Sequence, residues 1–368
     1  MATIWGPNIV TDGLVMSLDA GNVESYAPAG TIPQESESIA GGFIDDSSPP
    51  AHTSYYTILG DDGLYINSTA PINDWLGSFQ STVATTGYYT VVFEHQADDG
   101  SSSFKIQNNG VNAGAYTATI ATTTAKQIHT ETNNITSTGA STMYIARSGG
   151  TGNITISNFR FYKSDSAGNS IVWHDLSGNG YDGDVQNCTF STNNAGVLVT
   201  SGNSGSLINI ALPSYSSSNV SIVVAQRYVT GSGGRMLNGR YNNWLLGNYS
   251  SRVNVYYAEG WIRYTGATNP DETGDTAFLS AWRIYTCTED YGSDSRLIYT
   301  NGVYGGEDVG YGPAGGSQGP NGLTVGRYNN SDTERTNGEI GFVLAYDRVL
   351  TAAEVLQNFN AHKGRYGL

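Results

Sequence analysis

Charge is what this 368-residue sequence has least of: Asp, Glu, Lys and Arg make up 13%, about half the usual share of a globular domain. Lys and Arg together number 17, fewer than the 25 Tyr. That scarcity argues against long helices, which draw on Ala, Leu, Glu and Lys at periodic spacing. Cysteine is nearly absent. Cys188 and Cys287 exclude a disulfide scaffold and any Cys-only zinc site, and they read as two separate buried thiols, with pairing as the alternative. No run approaches the roughly 20 apolar residues of a membrane span. The opening Met-Ala-Thr-Ile-Trp-Gly-Pro has neither a basic nor an apolar signal region, so no secretory leader is expected.

What is present points to strands and turns. The 47 Gly and 10 Pro fall short of the share that marks disorder, and Tyr, Thr, Ser and Asn abound. Such a composition suits short strands joined by tight turns. The length fits two domains or one large sandwich. A formal net charge of −15 repels phosphate backbones and anionic headgroups, so nucleic acid and membrane surfaces are excluded as partners. An extracellular type of composition without an export signal fits a virus structural protein, a chain trimmed of its signal, or non-classical export.

One segment reads as a helix. Thr351-Ala352-Ala353-Glu354 has the capping-box pattern. Ala352 with Leu356, and Val355 with Phe359, predict one apolar face, and Gly364 predicts a left-handed exit. Elsewhere the period is two: Leu14, Met16, Leu18; Val220, Ile222, Val224; Val253, Val255, Tyr257; and Ile340, Phe342, Leu344, Tyr346. Gly, Asn, Asp and Ser bound these runs, as strand ends require. Residues 27–50 read as a connector. A second strand series follows, from Tyr89-Thr90-Val91-Val92-Phe93 to Phe159-Arg160-Phe161, with a Thr-rich stretch at 117–138 that suits half-wet strands. The expected fold is all-β, with two antiparallel sandwiches and one short C-terminal helix.

The segment Ile9–Asn22 resembles the opening strand of laminin-G-like (concanavalin A-like) jelly rolls in tailed-phage and bacterial surface proteins. In that family a Trp-x-Asp-Leu-Ser-Gly-Asn-Gly turn follows closely. Here it is Trp173-His174-Asp175-Leu176-Ser177-Gly178-Asn179-Gly180, about 150 residues later. Asn243–Gly247, Leu297–Val303 and Gly338–Thr351 then follow in the family's order. The resemblance covers residues 8–26 and 170–368. It implies an outer sandwich made of 1–29 and 169–368, parted by an insert over 30–168 that resembles carbohydrate-binding-module jelly rolls.

Reactive chemistry is largely missing. Glycoside hydrolysis needs two facing carboxylates, whereas Glu289-Asp290 and Asp271-Glu272 are adjacent pairs that point to opposite faces of a strand. His52, His95, His129, His174 and His362 show no ligand spacing; His95 and His174 read as packing or hydrogen-bonding residues. The Gly-rich run 305–319 lacks the Lys of a phosphate loop and reads as a surface loop. No cofactor is expected. The resemblance admits Ca²⁺ at Asp19, Asp271 and Asp275, beside Glu272; against this, Asp19 and Asp175 read as turn caps and the loop as solvated. Tyr241, Trp244, Tyr256, Trp261 and Trp75, set among Asn residues or other Tyr, are the candidate sugar platforms. The alternative for each is core or interface packing.

The expected function is therefore contact without catalysis. The resemblance implies a virion structural protein of a tailed phage, displayed on the particle exterior as a capsid decoration, head fibre or tail-fibre component. Its partners would be other virion proteins, copies of itself and host-surface glycans, with Trp5 and Pro7 as candidate anchors. The alternative is a bacterial surface protein for carbohydrate binding and adhesion.

Overall fold

The computed structural model describes residues 8–22, 25, 41–44, 55–60, 63–73, 75–110, 118–164, 171–191, 197–201, 206–250, 252–258, 261–262, 280–309, 319–328 and 333–368. The fold is all-β, with four antiparallel sheets and a single α-helix among these residues. The chain divides into two compact units, one of Met1–Tyr26 with Val172–Leu368 and the other of Ala27–Ile171.

The first unit is a sandwich of two eight-stranded sheets. In one, Thr336–Tyr346 lies between Val220–Gly233 on one side and both Leu14–Asp19 and Val197–Ser201 on the other. The inner faces meet in a core that includes Met16, Leu18, Trp173, Ile222, Leu246 and Val343. A second apolar layer covers the outer face of the same sheet, where Val223, Ala225, Ile284, Phe342 and Leu344 pack with Val355 of the helix Ala352–His362. Two-sided burial explains why Ile222–Ala225 is an unbroken apolar run rather than an alternating one. Leu14 joins the outer layer, because the ladder shifts register between Leu14 and Met16.

The helix begins with the predicted capping box: Thr351 Oγ1 accepts from Glu354 N, and the Glu354 carboxylate accepts from Thr351 N at 2.8 Å. Arg348 also grips Glu354, at 2.6 and 3.0 Å. That guanidinium and the Thr351 N–H hold the carboxyl down to about 2. The buried face is the expected one in part, since Phe359 packs against the same layer as Val355. Val355 and Asn358 are buried, whereas Leu356 is 46% exposed. Asn358 faces inward because its Oδ1 accepts from Val10 N and its Nδ2 donates to the Tyr346 hydroxyl. Gly364 is not the exit either. It lies within a 3₁₀ turn, Lys363–Tyr366, and the left-handed residue is Gly367. Cys188 and Cys287 are free and buried, and burial pushes the Cys188 thiol up to about 12.

The turn after Trp173 grips the opening strand. Asp175 Oδ1 accepts from Ser17 N (2.8 Å) and Ser177 N (2.9 Å), and Oδ2 accepts from Tyr181 N (3.1 Å). Leu176 N donates to Ser17 O (2.8 Å), and Asn179 Nδ2 to Val15 O (3.0 Å). Beside them His174 N donates to Ser25 O at 2.7 Å, and Ser25 Oγ to His174 O at 2.6 Å. Positions 25 and 174 are thus bonded neighbours, and the segment between them leaves and returns at one place.

The second unit packs two five-stranded sheets face to face. One runs Gly41–Ile44, Trp75–Val83, Gly139–Gly149, Ser103–Gly110, Thr119–Ala121. The other runs Tyr56–Ile58, Leu64–Ile66, Ile154–Lys163, Gly87–Ala97, Gln127–Ile135. The strand Gly41–Ile44 corrects the reading of 27–50 as a plain connector, since it pairs with Trp75–Val83. Aromatic rings fill the core: Phe93 stacks on Phe159 at 5.3 Å, and Phe159 meets Phe79 at 4.6 Å.

Replacing Asp175 with Ala leaves three backbone N–H groups without their charged acceptor. The expected cost is about 3 kcal/mol, at ~1.5–3 kcal/mol for a hydrogen bond to a charged group. Urea denaturation of the full chain measures it, and an unchanged midpoint would show that the clamp is dispensable.

Candidate functional site

The candidate site is a groove of about 330 Å³ in the second unit, lined by Tyr65, Gln96, Ala97, Asp98, Thr124, Asn153 and Thr155. Its floor follows from strand periodicity. Leu64, Ile66, Ile154, Ile156 and Ala97 point into the core, so the residues between them face the other way. Thr155 lies opposite Tyr65 on one neighbouring strand and opposite Gln96 on the other. The three form one row across three strands, spanning two interstrand spacings or ~10 Å. They supply an aromatic ring, a hydroxyl and a primary amide side by side.

Loops close the groove at one end. Asp98 accepts from Asn153 at both oxygens, from the backbone N–H at 2.7 Å and the side-chain amide at 2.6 Å. Asn153 Oδ1 in turn accepts from Ser68 N at 2.8 Å. Asp99 caps the adjoining turn, accepting from Ser101 N (3.1 Å), Ser102 N (3.0 Å) and Thr151 N (3.3 Å). These bonds, the one from Ser101 N foremost, hold its carboxyl well below the usual carboxylate range.

Under these loops lies Arg147, 1% exposed. Its guanidinium donates to the carbonyls of Asn67 (3.0 Å), Gly150 (3.2 Å) and Gly152 (2.5 Å), and to Ser102 Oγ (3.3 Å). Burial pulls its pKa down, and the charges of Asp99 and Asp98 oppose that. One arginine therefore ties three loops together. Gly150 must be glycine: its φ is +75°, and a Cβ there would come within 2.4 Å of Ser102 Cα.

Sequence reasoning did not find this row. Its one trace is a polar or aromatic residue between apolar neighbours, as in Leu64-Tyr65-Ile66 and Ile154-Thr155-Ile156. Nor did it find Arg147 or the buried role of Glu289. Glu289 is 1% exposed, between the sheets of the first unit, where Trp244 Nε1 donates to it at 2.8 Å and the Tyr256 hydroxyl also donates. This corrects the reading of Trp244 and Tyr256 as sugar platforms. Both are fully buried, their rings meet edge-on at 6.0 Å, and neither face can receive a ligand.

Of the other candidates, Tyr241 is 59% exposed, in a turn where Arg240 sits 5.0 Å over its ring. Trp75 and Trp261 have strand backbones, but their side chains lie outside the described residues, as do Trp5, Pro7, Asp271, Glu272 and Asp275. Asp19 is not an open cation ligand. Its carboxylate pairs with Arg365 at 2.6 and 2.8 Å and accepts from Gly21 N. Among the described residues no three His, Cys, Asp or Glu side chains stand close enough to hold a metal ion. His95 is buried edge-on to Phe104, and burial lowers its pKa.

Replacing Arg147 with Met keeps the bulk and removes every donor to the three carbonyls. The second unit is expected to lose about 3 kcal/mol, with faster amide exchange at 98–102 and 149–153 by hydrogen-exchange mass spectrometry. Unchanged exchange would refute the tie.

No protein-family model matches the chain, and no curated protein matches it. Among solved structures, the binding domain of Paraclostridial mosquitocidal protein 1 is similar at 18% identity, with a TM-score of 0.38 over 51% of this chain and 49% of that one. A botulinum neurotoxin DC binding domain, solved in complex with rat synaptotagmin II, is 14% identical, with a TM-score of 0.40 over 51% and 48%. The botulinum neurotoxin type G receptor-binding domain is 19% identical, with a TM-score of 0.35 over 50% and 47%. The match thus spans about half the length of these domains.

Proposed function

We propose that the chain is a surface-recognition protein without catalytic chemistry, and that its second unit takes a saccharide in the Tyr65–Thr155–Gln96 groove. One observation carries this reading: an aromatic ring, a hydroxyl and an amide stand in register on a sheet face, at the mouth of loops fixed from below. Sugars present flat apolar faces ringed by hydroxyls, which an aromatic ring with neighbouring donors and acceptors complements. Hydrolysis needs two carboxyl groups flanking the bond. Asp98 is the one carboxylate among the described lining residues, and both its oxygens already accept from Asn153.

The setting follows from the motifs of the first unit. Their resemblance to laminin-G-like phage modules supports a virion structural protein on the exterior of a tailed-phage particle, with the groove turned to host-surface glycans. A soluble glycan array is expected to return specific binding. Tyr65→Ala should weaken that binding at least tenfold, equivalent to ~1.4 kcal/mol, without lowering the melting temperature. Absence of binding, or a Tyr65→Ala variant that binds as well, would overturn the saccharide reading. The virion assignment is tested separately by mass spectrometry of purified particles. The chain is expected alongside capsid or tail proteins, and its recovery in a cell-envelope fraction alone would favour bacterial adhesion.

A further inference from the structure

The sheet edges of the two units are not alike. Among the described strands, nine have a single strand neighbour, and six of these are short: Cys188–Ser191, Gly41–Ile44, Thr119–Ala121, Tyr56–Ile58, Val172–Trp173 and Trp261–Ile262, each of two to four residues. Two more, Val303–Val309 and Leu14–Asp19, carry a register shift where they meet their neighbours. Short and irregular edges are among the ways sandwiches avoid pairing with other chains. The ninth is longer and regular. Gln127–Ile135 runs nine residues and pairs with Gly87–Ala97 through nine consecutive positions without a shift. Every residue from Gln127 to Asn134 is partly or fully exposed, and Ile128 is 50% exposed. No Pro, Gly, Lys or Arg interrupts it.

We infer that this edge pairs with the same edge of a second copy of the chain, antiparallel about a two-fold axis at Thr130. The charges favour that register over those centred one residue to either side. His129 and Glu131 flank Thr130 on one side of the strand, with Nε2 and Oε2 3.7 Å apart, and His129 is held against Phe93 at 5.1 Å. With the axis at Thr130, each His129 lies opposite the second copy's Glu131, twice over. Moving the axis to residue 129 sets His opposite His, and moving it to 131 sets Glu opposite Glu, which is unfavourable for directly opposed residues. An axis between residues would oppose inward to outward side chains. On the other side the Thr130 register sets exposed Ile128 against the second copy's Thr132, a β-branched partner of the kind that packs well across strands. An isologous contact of this type closes as a dimer and goes no further.

Sedimentation velocity of the full chain over a concentration series tests this. Wild type is expected to show a monomer–dimer equilibrium. Thr130→Lys, which brings two ammonium groups together at the axis, should weaken it at least about tenfold with an unchanged melting temperature. Register is read by cross-linking: oxidised Thr130→Cys should form an intermolecular disulfide with itself, and Ile128→Cys should not. A wild type that stays monomeric throughout overturns the proposal. So does a Thr130→Lys variant that dimerises as tightly, or cross-linking that is no better at 130 than at 128.

Discussion

Asp175, with the backbone bonds beside it, ties the first sandwich across its interruption. The strand Leu14–Asp19 must sit beside Thr336–Tyr346, yet the next element of its own unit begins at Val172. Asp175 resolves this by accepting from Ser17, Ser177 and Tyr181 together, binding the returning turn to the first strand through backbone groups that would otherwise go unpaired. Loop-closure entropy grows only logarithmically with length. Once the two ends are bonded at Ser25 and His174, the size of what lies between them costs little. A whole second core can therefore occupy the gap.

Both units bury charge, and each uses it to fix something different. In the first, Glu289 lies between the sheets as the acceptor for Trp244 and Tyr256, so two large aromatics have their polar tips satisfied deep in the core. In the second, Arg147 sits below a loop cluster and satisfies carbonyls that no ladder reaches. A buried charge left without partners would be strongly destabilising, so each of these residues specifies one arrangement of its neighbours. The consequence for function is an asymmetry: interior aromatics are committed to structure, whereas Tyr65 sits on a groove wall whose shape Arg147 maintains.

The legible part of the sequence was the part written in local spacing. Two-residue alternation and the Thr351–Glu354 capping box speak directly of backbone geometry, and the all-β fold with one terminal helix followed from them. The inner face of that helix departs from the local pattern at Leu356, while Asn358 takes a buried position through hydrogen bonds to Val10 and Tyr346. Trp244 stands next to Asn242 and Asn243 and so resembles a sugar platform. Its actual partner, Glu289, is 45 residues away on the facing sheet. The groove row escaped for a similar reason: Tyr65, Gln96 and Thr155 lie on three separate strands and become neighbours only through their register. Contacts set by pairing between distant strands leave almost no local trace.

The groove and the open edge belong to the same sheet. Tyr65, Thr155 and Gln96 occupy its second, third and fourth strands, and Gln127–Ile135 is the fifth. A two-fold axis perpendicular to that sheet joins two five-stranded sheets into one of ten, and it keeps outward side chains on a common face. Both grooves then look in one direction at a fixed separation. A shallow groove of this size gains little from a single sugar, because ordering and desolvation offset most of the contact energy. Two grooves held on one face convert the second engagement into an intramolecular event, and avidity rises without any new contact. In the proposed dimer, the groove and the longest regular edge of its own sheet would act together, with a repetitive glycan surface as the matching target.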